Sequence, residues 1–322
     1  MLSRLRPAKR MLFVMILIIL TACQQTLVSY NDPTGIAVSP TMPQPLVIQA
    51  TPVPRTIATR EVTPTPLQAA RPTPFQLGGP WLSPTPADTL PPDTQVVGHS
   101  VEGRAIIARR FGQGPQMILL VGGIHGGWEG NTVTLINELI AHFDANPQDV
   151  LPGVSLMLIP VANPDGLLRG RTEMGRFNAH TVDLNRNWGC GWSADAQWRD
   201  QSVNPGLEPF SEPETRALSA FIQNARPALV LFYHSAAGGI FAGRCNGDDA
   251  GSEAVAQVLG EATGYSYGAP FSAYPVTGTG PSWVASLGIP SADVELQTWT
   301  DSEFERNLRG IVALQRWLSA SS

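Results

Sequence analysis

Four short, mostly apolar segments predict the strands of a central sheet. They cover residues 117–121, 154–159, 228–232 and 292–296, and a glycine pair follows the first of them. Apolar runs of this length between turn residues are typical of strands that are buried on both faces.

The segments between these strands have helical spacing of their apolar residues. Helices are predicted over 132–143, 251–262 and 302–319, and a further helix is expected to start at Ser211 as its N-cap, with Glu214 three residues on. Strands that alternate with helices predict an α/β domain with a mixed, largely parallel twisted sheet and helices on both faces.

The first 23 residues have the pattern of an export signal. A basic leader precedes the apolar run 11–20, which is too short for a bilayer that needs about 20 residues. Leu20-Thr21-Ala22-Cys23 resembles the bacterial lipoprotein signal, which implies lipidation of Cys23 and an exported protein anchored at the cell envelope. The alternative is an ordinary signal peptide in which the cysteine is incidental.

Residues 24–92 predict a disordered Pro/Thr-rich linker, which leaves 93–322 as one domain. This stretch holds 15 of the 29 prolines of the chain and few large apolar residues. Repeated proline removes amide donors and favours extended conformations, so we expect a semi-rigid spacer between membrane and domain.

Charge and cysteine content exclude two classes of protein. With 21 basic and 26 acidic side chains, the net charge of −5 argues against binding of nucleic acid through its phosphates. Three cysteines are too few for a small disulfide framework. A monomer is expected.

Unusual polar residues follow the predicted strands at the edge where open α/β sheets bind ligands. His125 comes after the first strand, His234 follows the third and Glu295 lies on the fourth. Together with Glu129, they suggest a zinc site with two histidines and one glutamate, plus a free carboxylate as general base.

Five motifs resemble those of the zinc metallocarboxypeptidases, the carboxypeptidase A-like family, and they occur in the family's order. This resemblance covers roughly residues 95 to 320 and implies the carboxypeptidase fold and zinc-dependent hydrolysis of a C-terminal peptide bond. The motifs are Gly122-Gly123-Ile124-His125-Gly126-Gly127-Trp128-Glu129, Asn163-Pro164-Asp165-Gly166, Val182-Asp183-Leu184-Asn185-Arg186-Asn187-Trp188, Phe232-Tyr233-His234-Ser235 and Glu295-Leu296.

The resemblance implies a role for each matching residue at the reacting centre. His125, Glu129 and His234 would bind one zinc ion per chain. Glu295 would be the general base and acid, and Arg176 would polarise the scissile carbonyl and stabilise the oxyanion.

Substrate-binding residues follow from the same resemblance. Asn185 and Arg186 would hold the free C-terminal carboxylate of a peptide, and Tyr274 would cap it. Asp293, two residues before Glu295, would line the pocket for the terminal side chain and favour a cationic group, unless it pairs with an arginine for structural reasons. The surroundings of Tyr274 also resemble bacterial murein-peptide members of the family, so a cell-wall peptide is a second substrate class.

One departure from the family concerns the first metal motif. The usual spacing is His-x-x-Glu, whereas here His-x-x-x-Glu separates His125 from Glu129. We expect the extra residue to be absorbed as a bulge beside Gly126 and Gly127, because glycine tolerates unusual φ. The alternative is a damaged metal site, which would leave a tethered peptide-binding lipoprotein.

A serine hydrolase is a further alternative, because His125-Gly126-Gly127 is similar to an oxyanion-hole motif. Such an enzyme needs a Gly-x-Ser-x-Gly nucleophile elbow, and none is expected in this chain, because Gly98-His99-Ser100 is followed by Val101-Glu102. Cys190 and Cys245 are expected to form a disulfide if the protein is exported. The tryptophans at 188, 192 and 198 are interpreted as packing residues.

Overall fold

The computed structural model describes residues 90–320. The predicted signal peptide, Cys23 and nearly all of the predicted linker lie outside these residues. Within the described range, no helix combines the length and the apolar character needed to cross a membrane.

A seven-stranded mixed sheet forms the centre of the domain. Four parallel strands, in the order β4, β3, β7 and β9, are flanked by antiparallel strands β2 and then β1 on one side and by β8 on the other. A separate hairpin pairs β5 with β6. The strands are β1 Thr94–His99, β2 Ala105–Phe111, β3 Gln116–Val121, β4 Val154–Ile159, β5 Gln197–Trp198, β6 Gln201–Ser202, β7 Leu229–Ser235, β8 Ile240–Ala242 and β9 Ser291–Leu296.

Seven helices lie along the described chain, and two short 3₁₀ turns span Pro147–Asp149 and Leu184–Arg186. The predicted fold class is confirmed, but the helix with its expected N-cap at Ser211 has its N-cap one residue later. Glu212 is its N-cap and Pro213 its first residue, while the Ser211 hydroxyl donates to the Glu212 carboxylate. The helices are α1 Gly130–Ala145, α2 Pro164–Leu168, α3 Glu173–Arg176, α4 Pro213–Ala225, α5 Ser252–Thr263, α6 Gly280–Ser286 and α7 Phe304–Ala320.

Two apolar layers cover the two faces of the sheet. Ile118 and Leu120 of β3 pack in the layer that contains α1, α5 and α7, whereas Leu119 and Val121 pack in the layer that contains α4 and α6. Because side chains alternate along a strand, a continuous apolar run is required where both faces are covered. The four parallel strands are therefore held firmly, and their C-terminal ends offer a stable platform.

Candidate active site

The C-terminal ends of three parallel strands bring the chemistry-bearing residues together. His234 on β7 lies directly opposite Glu295 on β9 in the strand register. His125 lies in the loop between β3 and α1. All three line one cleft, as the strand-end argument predicts.

The extra residue in the first metal motif is absorbed by the turn between His125 and α1. Gly126 adopts a left-handed φ of +46°, and a side chain there would come within 2.6 Å of the main chain of Gly166 and Gly175. The turn is closed by the amide of Trp128, which donates to the His125 carbonyl at 3.1 Å. The expected bulge is confirmed, and Glu129 still reaches the cleft as the N-cap residue of α1.

Three buried side chains form a cluster that can hold a metal ion. Ligand atoms of His125, Glu129 and His234 all lie within 4.8 Å of one another. A tetrahedral ion with bonds of about 2.0–2.2 Å needs ligand atoms roughly 3.4 Å apart, so small side-chain rotations suffice. Glu129 Oε2 lies 3.1 Å from His234 Nδ1 and accepts a hydrogen bond from the Ser235 amide at 3.2 Å.

The protonation of the two histidines differs because their neighbours differ. Burial, together with the nearby charges of Arg176 and His234, lowers the pKa of His125 well below its usual value. Burial also disfavours the charged form of His234, but Asp293 and Glu129 outweigh it and raise that pKa.

The donor set fits zinc. His125 is held in the neutral form that binds metals, and its buried Nδ1 makes no hydrogen bond, with Asp183 Oδ1 3.6 Å away. Two imidazoles and one carboxylate are a common protein ligand set for zinc.

Glu295 is a carboxylate of the cleft that lies outside this ligand cluster, opposite His234 in the strand register. Its Oε2 accepts a hydrogen bond from the Ala237 amide at 3.2 Å. Burial raises the pKa of Glu295 to about 7, and the charges of Glu129 and Asp293 add to this, whereas His234 opposes it. A carboxyl group with such a pKa can both accept and donate a proton near neutral pH.

Arg176 is oriented by a buried carboxylate. Its Nε donates to Asp183 Oδ2 at 2.9 Å, its Nη2 lies 2.8 Å from the same oxygen, and its Nη1 lies 3.6 Å from Glu129 Oε1. The guanidinium also lies over the ring of Trp198, 4.6 Å from its centroid. Arg176 therefore faces the cleft as a rigid donor beside the metal cluster.

The predicted carboxylate clamp lies in the same cleft. Asn185 accepts a hydrogen bond from the Gly280 amide at 2.9 Å, and its Nδ2 lies 3.3 Å from His234 Nε2. Arg186 donates to the carbonyls of Asn185 and Gln197 at 2.7 and 3.0 Å. These acceptors are uncharged, so the buried guanidinium has no carboxylate partner among the described residues.

Tyr274 belongs to the wall of the cleft. Its ring contacts Phe271 with centroids 4.9 Å apart, and burial raises the pKa of its hydroxyl. The loop that carries it ends at Gly278, where a side chain would come within 2.5 Å of the Arg186 carbonyl. The loop is therefore packed directly against the clamp.

Asp293 also lines the cleft. It lies beside His234 and not beside an arginine, with which the alternative interpretation paired it. Its Oδ1 lies 3.0 Å from His234 Nε2, in a geometry that does not complete a hydrogen bond. Its side chain is 20% exposed, which leaves one part of the carboxylate open to the cleft.

An aromatic cluster beside the metal residues was not predicted. Trp128, the tryptophan of the lengthened motif, contacts Trp198 and Trp299 with ring centroids 5.3 and 5.6 Å apart. Trp198 is buried, as its interpretation as a packing residue requires, and it also lines the cleft. Arg199, which follows it, lines the cleft as well and carries no motif that would have indicated this.

A disulfide braces the loops around the cleft. Cys190 and Cys245 are bonded as predicted, with their Cα atoms 6.0 Å apart. The Gly278 amide donates to the carbonyl of Gly191, next to Cys190, so the disulfide is linked to the loop that carries Tyr274.

The expectation that the chain lacks a Gly-x-Ser-x-Gly segment is wrong. Gly264-Tyr265-Ser266-Tyr267-Gly268 does have the Gly-x-Ser-x-Gly spacing. A nucleophile elbow connects a strand to a helix, whereas this segment follows α5 and Gly264 is the C-cap of that helix. The Ser266 hydroxyl donates to the Gly238 carbonyl at 3.3 Å and not to a histidine, so the segment is not an elbow.

Fold and site together define a metal-dependent hydrolase built on a mixed α/β sheet. Residues 92–305 match the zinc carboxypeptidase family, peptidase M14. Since this match spans more than half of the chain, the chain belongs to the zinc carboxypeptidase family.

Its relatives include murein peptide amidases. Murein peptide amidase A of Escherichia coli K12 is 29% identical over 250 residues, which cover 71% of this chain and 91% of the amidase. The crystal structure of murein-tripeptide amidase MpaA from Escherichia coli O157 matches with a TM-score of 0.53 at 25% identity, over 71% of this chain and 93% of that chain. The bacteriocin BCN5 of Clostridium perfringens is 38% identical over 141 residues, but the chain spans only 15% of that protein.

Proposed function

We propose that the protein is an exopeptidase that hydrolyses the last peptide bond of a chain with a free C-terminal carboxylate. The observation that carries this proposal is the Arg186 guanidinium, which is buried in the cleft beside the metal cluster and, within residues 90–320, bonded only to main-chain carbonyls. A buried cation without an anionic partner is costly unless a ligand supplies one. A terminal carboxylate supplies it, and an internal peptide segment does not.

The residues of the cleft have separate roles in the reaction. His125, Glu129 and His234 would hold zinc, which when bound supplies a Lewis acid that polarises a carbonyl and lowers the pKa of water. Glu295 takes the proton of the attacking water on its carboxylate and passes it to the leaving amine. Arg176, fixed by Asp183, donates to the carbonyl oxygen as negative charge develops on it.

A cell-wall peptide is the substrate class that we favour. The match to murein peptide amidase A extends over nearly the whole of that enzyme.

The competing function is a peptide-binding protein with an inactive metal site. The intact geometry around Glu129 supports the enzyme, and the metal content of the purified protein discriminates between the two.

Recognition of the chain end can be tested with pairs of peptides that differ only in a free or amidated C-terminus. Loss of a charge-assisted hydrogen bond costs about 1.5–3 kcal/mol, so kcat/KM is expected to fall about tenfold to a hundredfold on amidation. A chelator should abolish cleavage of both peptides, and added zinc should restore it. Replacing Arg186 with glutamine should remove the difference between the pair, whereas Arg316→Gln on the exposed side of α7 should leave it unchanged. Equal cleavage of both peptides by the native protein would contradict the clamp.

Preference for a cationic terminal residue is a second expected result. The open part of the Asp293 carboxylate would pair with an amine or guanidinium at the end of the terminal side chain. Peptides that end in lysine or diaminopimelate should therefore be cleaved faster than those that end in phenylalanine, by about tenfold. Equal rates for the three peptides would show that Asp293 does not select the terminal side chain and only contacts His234. Metal content of Asp293→Asn, measured in parallel, shows whether the substitution acts through that histidine.

A further inference from the structure

Arg199 is presented to the cleft by the hairpin of β5 and β6. The strands pair Trp198 with Gln201, so Arg199 and Asp200 form the connecting turn. Arg199 adopts a left-handed φ of +57°, which is uncommon for a residue other than glycine and is typical of two-residue hairpin turns. Its guanidinium lies over the Trp198 ring, 5.1 Å from the centroid.

The charge of Arg199 has no anionic partner in the part of the chain that the structure describes. It stacks on Trp198 and makes no ion pair or side-chain hydrogen bond with another described residue. Arg176, over the same ring, differs because Asp183 neutralises it. The cleft thus contains two guanidinium groups without carboxylates, those of Arg186 and Arg199.

A substrate with one terminal carboxylate would neutralise only one of these two cations. In the proposed function, Arg186 binds that terminal carboxylate. Arg199 would then still lack an anionic partner. Its stack on a buried ring reduces the conformational entropy that its side chain would lose on binding. Trp128 and Trp299 in turn support that ring.

The position of Arg199 indicates which side of the scissile bond it contacts. It shares Trp198 with Arg176, the residue expected at the scissile carbonyl. Asp293 also lines the cleft and is expected at the pocket for the terminal side chain, where it would repel a second carboxylate.

We infer that Arg199 is a specificity-determining residue that recognises a second carboxylate, carried by the residue immediately before the scissile bond. This inference rests on the proposed function and names the substrate more closely. Aspartate and glutamate carry such a group. A glutamate that is linked through its side chain carries one too, because its α-carboxylate is free.

The test compares peptides that are identical except for a carboxylate or an amide on the residue before the scissile bond. The native enzyme should cleave the acidic peptide with a kcat/KM about tenfold higher, the lower end of the range for charged hydrogen bonds because Arg199 is exposed. Arg199→Gln should reduce this ratio to about one, because kcat/KM falls more for the acidic peptide than for the amide peptide. Arg316→Gln is the matched control, since it removes the same charge from an exposed position outside the cleft.

Binding measurements on Glu295→Gln separate this inference from the proposed function. If the native protein cleaves both peptides at equal rates, the inference is overturned and the exopeptidase stands. If the native protein shows no turnover, but Glu295→Gln binds the acidic peptide more tightly and loses this preference when Arg199→Gln is added, the proposed function is overturned and recognition of the second carboxylate by Arg199 stands. An equal loss for both peptides in Arg199→Gln would show a structural role for the stack and would also overturn the inference.

Discussion

Replacing Glu295 with glutamine is expected to lower kcat by about a hundredfold to ten-thousandfold while one zinc ion per chain is retained. Glutamine has nearly the same shape as glutamate but cannot accept the proton of the attacking water. Glu295 lies outside the ligand cluster, so the metal content should not change. Turnover of a C-terminally free peptide and zinc analysis of the same preparation measure the two quantities.

The matched control for this substitution is Glu261→Gln, at an exposed position near the end of α5. It makes the same chemical change away from the cleft and should retain full activity. A Glu295→Gln enzyme that keeps more than about a tenth of native activity would exclude Glu295 as the proton acceptor, given the contribution expected of a general base.

Replacing Glu129 with alanine is expected to remove both the metal and the activity. Partners in the outer shell of a metal site alone are worth about tenfold to a hundredfold in affinity, so loss of a direct ligand should cost more than a hundredfold. The substitution would also leave His234 Nδ1 and the Ser235 amide without their present partner. Zinc titration by calorimetry and metal analysis after dialysis give the affinity and the stoichiometry.

Glu261→Ala controls for the loss of a glutamate, and it should bind zinc like the native protein. Circular dichroism of Glu129→Ala should show a folded protein, because the sheet and its two apolar layers do not depend on this side chain. A folded Glu129→Ala protein with native zinc affinity would mean that the lengthened motif does not supply a ligand.

The strands that sequence could predict are those whose burial leaves a clear pattern. β3, β4 and β7 are covered on both faces and are therefore continuous apolar runs. β1 is a largely solvated edge strand, β2 contains two arginines, and β8 has only three residues, so none of them carries such a run. The beginning of α4 was misplaced because Ser211 offered a good cap, but Pro213 fixed the start of the helix and left Glu212 before it.

Three residues of the candidate active site were predictable because the ends of parallel strands converge. His125, His234 and Glu295 each follow or belong to such a strand, so topology alone brings them to one edge. The aromatic cluster was not predictable in this way. Trp128 and Trp198 are 70 positions apart and meet only because the short β5–β6 hairpin folds over the cleft, and neither strand of that hairpin has a sequence pattern.

A crystal structure of the zinc-loaded protein, with anomalous diffraction recorded on both sides of the zinc absorption edge, is the most direct test of the shared metal site. We expect one zinc peak per chain, about 2.0–2.2 Å from an imidazole nitrogen of His125, an imidazole nitrogen of His234 and a carboxylate oxygen of Glu129. A peak at other residues, or no peak between these three side chains at saturating zinc, would contradict the account.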